Sequence, residues 1–239
     1  MPITVEILDV KASTDHFDKV YNYFKQVDDR FSTYKEASEI SRINRGEIKP
    51  ADFSNEMKEV LSLCNQTKKE TNGYFDIKNP QGILDPSGLV KGWAIFNAAK
   101  IIKQAGLKNF YIDAGGDIQT SGQNSAGKPW RVGIKNPFHE DEIIKVVYVS
   151  DLGVATSGTY IRGTHIYNPY LKKAPEGLVS LTVIGPNVYD ADRFATAAFA
   201  MGKRGIEFIE ELKGFEGYAV DVHGVAVMTT KFLEYNKED

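Results

Sequence analysis

The feature that most constrains this chain is the order of its short β-branched runs. Strand-like segments over 3–10, 109–113, 130–135, 143–150, 179–185, 217–221 and 225–230 arrive in adjacent runs separated by turns. A doubly wound parallel sheet needs a long crossover, usually a helix, between its strands. The observed order favours an α+β fold with mostly antiparallel sheets flanked by helices. His223-Gly224, between the last two runs, reads as a hairpin turn.

The helical segments announce themselves by period and by end signals. Ser13 and Thr14 are cap-type residues ahead of Phe17, Val20, Tyr21, Phe24, Val27 and Phe31 at helical spacing. Residues 31–44 are polar and broken, and read as a loop with a short helical turn. A second long helix starts at Ser54, turns Met57, Val60, Leu61 and Cys64 inward, and stops at Asn72-Gly73. A third follows Gly88 and closes at Gly106, and two more fill 190–202 and 204–212. No linker, repeat or low-complexity tract divides the chain, so residues 1–239 are expected to form one domain.

Composition narrows the classes further. Lys and Arg total 29 against 32 Asp and Glu, a formal net charge of −3. That excludes the strongly basic surface on which nucleic-acid binding depends. The single cysteine, Cys64, permits no intrachain disulfide and no cysteine metal cluster. No run approaches 18 apolar residues, so no transmembrane helix is expected. The segment MPITVEILDV lacks the basic start, apolar run and cleavage site of a signal peptide. The expected location is cytoplasmic, with an exported form open if a leader has been removed; the oligomeric state is left open.

Four constellations could carry chemistry. Asp113-Ala-Gly115-Gly116-Asp117 follows a strand, and its paired glycines suit either a plain turn or close approach of a ligand. Ala155 to Tyr160 (ATSGTY) reads as a solvated turn or as a phosphate-binding loop, with Arg162 and His165 close behind. Asp192 and Thr196 stand one turn apart on one helix face within a small, apolar segment. They read either as a helix cap and a back-bonded hydroxyl or as oxygen donors to a hard cation such as Mg2+. Asp85-Pro-Ser-Gly88-Leu-Val-Lys91-Gly92 leads into a helix but lacks the spacing of a phosphate-binding NTPase loop.

The order of these motifs is more specific than any one of them. FSTYKEASEISRIN, TNGYFD, LDPSGLVKGWA, DAGGDI, PWRVGIKNP, GVATSGTY, THIYNP and YDADRFATAAFAMG follow one another in a way that resembles the ApbE family, from about residue 30 to 230. The resemblance implies an FAD:protein FMN transferase, with a flavin cleft between two tightly packed halves. Such enzymes bind FAD with Mg2+, cleave its pyrophosphate, place FMN on a Thr or Ser hydroxyl of a target protein and release AMP. Some members instead hydrolyse FAD to FMN and AMP. A flavin-binding protein with weak catalysis is the third reading.

The resemblance also assigns residues. Asp192 and Thr196 match side-chain metal ligands, and the Gly88 carbonyl matches a third oxygen. Tyr34, Tyr74, Phe75, Asp76, Asp85, Lys91, Gly116, Asp117, Ser157 and Ile166 fall at positions expected to contact FAD. His165 matches the histidine of an HIxDP motif and is the expected base for the transfer step, with Asp192 the other residue expected to serve catalysis. Two departures stand out: only eight residues separate Asp76 from Asp85, and Asn168 stands where the motif has Asp.

Overall fold

In the computed structural model the described residues are 1–79, 81–139, 141–159 and 166–237. Helix α1 (Thr14–Phe31) follows strand β1 (Ile3–Ile7), and a short α2 (Glu39–Asn44) follows that. The long helices α3 (Asn55–Glu70) and α4 (Ser87–Gln104) come next. Strands β2 (Phe110–Ala114), β3 (Asp117–Ser121), β4 (Trp130–Lys135), β5 (Ile143–Val149), β6 (Gly153–Gly158) and β7 (Leu178–Gly185) form the middle of the chain. Helices α5 (Val188–Ala200) and α6 (Gly205–Glu211), then β8 (Glu216–Asp221) and β9 (Ala226–Met228), complete it.

Seven strands make one sheet in the order β1-β2-β3-β6-β7-β8-β9, and β4 and β5 form a separate hairpin. Every pairing between these strands is antiparallel, as the clustering of strand-like runs predicts. Side chains alternate across a strand, and here the alternation divides two cores. On one face Ala155, Leu181, Val183 and Ala219 meet Phe194, Ala195, Ala198 and Phe199 of α5. On the other, Val154, Ile184, Tyr218 and Val220 meet Val132, Ile134, Val147 and Val149 of the β4–β5 hairpin, with Phe232 beside them. A third cluster joins α1, α3, α4 and β2 through Val20, Phe24, Val60, Trp93, Ile95 and Phe110.

Two strands depart from the reading above. Residues 155–158 do not form a phosphate loop: they lie in β6, paired residue by residue with Val183–Ser180 of β7. Their hydroxyls are accommodated within the fold, Thr156 Oγ1 lying 2.8 Å from Thr182 Oγ1. Residues 117–121 are also a strand, although DIQTS lacks an apolar alternation. Gln119, Thr120 and Ser121 are buried polar residues, and Gln119 Nε2 and Thr120 Oγ1 both donate to the Leu152 carbonyl. The DAGGD segment is the β2–β3 hairpin turn, with Gly115 and Gly116 at φ +64° and +92°. Both central residues at positive φ suit the right-handed twist of the flanking strands, and only glycine takes such angles without strain.

Candidate functional site

Helices α4 and α5 cross at four matched positions. Gly88 and Gly92 stand one turn apart on α4, and Asp192 and Thr196 stand one turn apart on α5. Thr196 Oγ1 donates to the Gly88 carbonyl at 3.2 Å, and the Gly92 amide donates to Asp192 Oδ2 at 2.8 Å. Only glycine permits this approach. A Cβ on Gly92 would lie 2.6 Å from Asp192 Cβ and 2.7 Å from the Val188 carbonyl oxygen, and one on Gly88 would lie 2.9 Å from Thr196 Cγ2. Gly153 serves the same end from β6, where a Cβ would lie 2.0 Å from the Val188 amide nitrogen.

The N-terminus of α5 is secured without Asp192. Asn187 is the cap, its side chain accepting from the Asp190 amide, and Gln119 Oε1 accepts from the Val188 amide at 2.9 Å. The capping alternative for Asp192 is thereby removed. Thr196 spends its hydroxyl on a carbonyl of another helix rather than on its own. Ser157 Oγ of β6 lies 3.5 Å from Thr196 Oγ1.

The charges here are buried together. Asp192 is 3% exposed and Asp117 is 1% exposed. Lys91 Nζ lies 2.6 Å from Asp117 Oδ2 and 3.9 Å from Asp192 Oδ1. Asp117 Oδ1 accepts from the Thr156 amide at 3.1 Å, and its buried Oδ2 faces the Lys91 ammonium. Burial pushes the Asp192 carboxyl well above the usual carboxylate range; Lys91 pulls it down, and Asp117 pushes it up again. A buried carboxylate under that pressure is stabilised by a cation. The crossing offers the Asp192 carboxylate and, one turn on, the Thr196 hydroxyl and Gly88 carbonyl, the hard oxygen types that Mg2+ takes while keeping water and phosphate in its remaining positions. The residues present therefore fit a Mg2+ ion. Among the described residues no group of three or more His, Cys, Asp or Glu gathers in the manner of a metal cluster, so the neutral oxygens are essential to that fit.

The other expected site residues fall into two groups. Phe75 is buried, with its ring 3.4 Å from where a Gly88 Cβ would stand, and Ile166 is buried beside the α5 core. Tyr74 packs against that core and accepts a hydrogen bond from Arg204 at 2.8 Å. Asp85 accepts from the Ser87 amide at the start of α4. Further out, Gly116 is at the exposed hairpin tip, Asp76 is paired with Lys68 at 2.6 Å, and Tyr34 is 93% exposed on the turn after α1. His165, with Tyr160 and Arg162, lies outside the described residues.

At both departures from the motif pattern the chain is bonded locally. Among the described residues between Asp76 and Asp85, Lys78 bridges Leu84, the Asp85 amide donates to the Ile77 carbonyl, and Asn44 exchanges two 2.9 Å hydrogen bonds with Leu84. Asn168 is 5% exposed and uses both ends of its amide. Its Oδ1 accepts from the Tyr170 and Leu171 amides, and its Nδ2 donates to the Ala200 carbonyl at 2.8 Å. A carboxylate at 168 would have no proton to offer Ala200.

Gly92 and Arg193 also belong to this seam and were not among the residues expected from the sequence. The signal for Gly92 was available in the equal four-residue spacing of Gly88–Gly92 and Asp192–Thr196. Nothing in the sequence pairs Arg193 with α3.

The architecture is that of a known class. A flavin transferase ApbE structure from Vibrio cholerae aligns with TM-score 0.85 at 21% identity, covering 98% of this chain and 95% of that one. An ApbE protein structure from Thermotoga maritima aligns with TM-score 0.85 at 21% identity, covering 98% and 96%. The ApbE family model matches residues 1–81 and 78–219, and the chain belongs to that family. The Escherichia coli (strain K12) FAD:protein FMN transferase is 27% identical over 179 residues, 71% of this chain and 50% of that protein. The Haemophilus influenzae protein of the same name is 24% identical over 250 residues, covering 78% and 72%. The chain thus spans about half the length of the E. coli relative.

Proposed function

We propose that this chain is a Mg2+-dependent FAD:protein FMN transferase, moving FMN from FAD to a Thr or Ser hydroxyl of a partner protein and releasing AMP. Family membership and the names of its relatives support this reading. The single observation that carries it is the paired contact where α5 crosses α4: Asp192 takes the Gly92 amide and, one turn on, Thr196 takes the Gly88 carbonyl. These three groups would hold the ion, which when bound supplies Lewis acidity at the pyrophosphate oxygens. In the transfer, the acceptor hydroxyl oxygen bonds to the FMN phosphorus while the bond from that phosphorus to the bridging oxygen breaks. AMP leaves with the bridging oxygen, and the hydroxyl proton passes to a base. His165 is proposed as that base from its motif match, imidazole having an unperturbed pKa near neutrality.

The chain's own residues prepare the site. Lys91 balances Asp117 and stands near Asp192, so that two carboxylates can share one buried seam. Ser157, Tyr74, Phe75 and Ile166 are proposed to line the FAD pocket around that seam, with Asp85 at the head of α4. Tyr34, Asp76 and Gly116 are proposed as outer FAD contacts.

Incubation with FAD and Mg2+, with and without a Thr-bearing acceptor peptide, tests the reading by following AMP and fluorescent peptide. AMP together with flavinylated peptide is the expected result. AMP without peptide modification would replace transfer by hydrolysis. FAD binding with no AMP in either case would leave only the flavin-binding reading.

A further inference from the structure

The α4–α5 crossing is also held from the side of α3, where Arg193 makes the polar contacts. Arg193 follows Asp192 on α5 and is 7% exposed. Its Nε donates to Asp190 Oδ1 at 2.8 Å, and its Nη2 lies 2.7 Å from the same oxygen. Its Nη1 reaches across to α3, where it bonds Glu70 and donates to Thr67 Oγ1 at 3.3 Å. The guanidinium also lies over the Phe194 ring, 4.0 Å from its centroid, and 5.2 Å from that of Tyr189. A planar fork that meets two carboxylates, a hydroxyl and two rings fixes orientation in a way a flexible ammonium does not.

The α3 end of this contact runs on toward the site. Thr71 Oγ1 donates to the Thr67 carbonyl and accepts from the Phe75 amide, and Phe75 abuts Gly88. Arg193 therefore ties α5 to the same segment that places Phe75 against the α4 glycine. A slip or rotation of α5 would break the Arg193–Glu70 contact and would also withdraw Asp192 from the Gly92 amide and Thr196 from the Gly88 carbonyl.

We propose that Arg193 is the positioning residue for the oxygen cluster, setting the seat of α5 on α3 so that Asp192 and Thr196 face α4. It touches neither the cluster's donor atoms nor, on this reading, the substrate. The metal part of this inference rests on the function proposed above; the seating part does not.

The test uses Arg193→Met, Arg193→Lys and Glu70→Gln, with Phe232→Leu in the opposite core as a control for general destabilisation. Mn2+ affinity, read by electron paramagnetic resonance, should fall by about 10- to 100-fold in Arg193→Met, as for loss of a group that orients metal ligands. Arg193→Lys should recover part of it, and Glu70→Gln should show a smaller fall. The KM for FAD should change less than the Mg2+ requirement, and Phe232→Leu should leave Mn2+ affinity unchanged. The Gly92 amide, bonded to Asp192, provides a metal-free readout by NMR: its shift and exchange should change in Arg193→Met beyond the change in Phe232→Leu. A Gly92 amide that behaves as in the control overturns the proposal, even if the melting temperature falls. Absence of Mn2+ binding in the wild-type protein would refute the metal reading of the site, and the Gly92 amide would still decide the role of Arg193. Should Arg193→Met not fold, Arg193→Lys and Glu70→Gln carry the same comparison.

Discussion

Both faces of the main sheet carry apolar cores, but the hairpin core behind it and the α4–α5 seam in front are built by opposite means. Behind β6, β7 and β8, the β4–β5 hairpin closes the core with Val132, Ile134, Val147 and Val149 against Val154, Ile184 and Val220. In front, the seam between α4 and α5 encloses Asp192, and Asp117 and Lys91 lie beside it, with Arg193 on its outer side. The hairpin core needs only shape and volume. The seam uses glycines for close approach and keeps a carboxyl whose burial works against its charge. Such an arrangement gives up stability, and cavities or clefts with displaced titrations are where function concentrates. The contrast predicts that substitutions in front remove activity before stability, and those behind do the reverse.

Asp192→Ala sets the first half of that contrast. It should abolish Mg2+-dependent AMP release, measured chromatographically, while the protein remains folded by circular dichroism. Retained turnover would remove Asp192 from the metal site. Ile134→Ala sets the second half, with an expected loss of about 2–5 kcal/mol in denaturant unfolding. Its folded fraction should keep full specific activity, because the β4–β5 hairpin contributes no residue to the seam.

Gly92→Ala sharpens the comparison by damaging both properties at once. The added methyl meets Asp192 Cβ and the Val188 carbonyl oxygen, so overpacking should cost about 1–3 kcal/mol, and activity should fall with the displacement of α5. Asn168→Asp tests the turn that Asn168 clasps to α5. Loss of the donor to the Ala200 carbonyl should destabilise the fold by about 1–3 kcal/mol, and no gain in rate is expected from the carboxylate.

The smallest effect concerns acid stability. Burial acts to raise the Glu70 carboxyl, but bonds from Arg193 and Gln66 overcome it, and its pKa lies below the ordinary value of 4.5. A depressed carboxylate contributes stability that is present above its unfolded pKa and is lost as pH falls through the folded one. Unfolding followed from pH 5 downward should show this loss in wild type and a shallower one in Glu70→Gln.

Much of the fold was legible because its helices are amphipathic and punctuated. Val20, Phe24, Val27 and Phe31 face inward on α1 as their spacing requires, although Tyr21 is exposed. Ser54 caps α3, and Asn72 and Gly73 end it at φ +49° and +81°. The strands β3 and β6 were not legible, because Gln119, Thr120, Thr156 and Ser157 are polar residues whose partners lie far away in sequence. In the candidate site, the Asp192–Thr196 pair was readable from one turn of helix. The amide that holds Asp192 comes from Gly92, a hundred residues earlier.

The sequence by itself determined the class of fold, the long helices with their ends, and the family, since these rest on period, punctuation and the order of local motifs. Only the tertiary structure decided that DIQTS and GVATSG are strands, that Asn168 is a clasp between a turn and α5, and that Arg193 seats α5 on α3. The physical reason is the same in each case. A polar side chain is neutral about its environment until a partner is supplied, and the partner that makes its burial tolerable is chosen by the packing of distant segments.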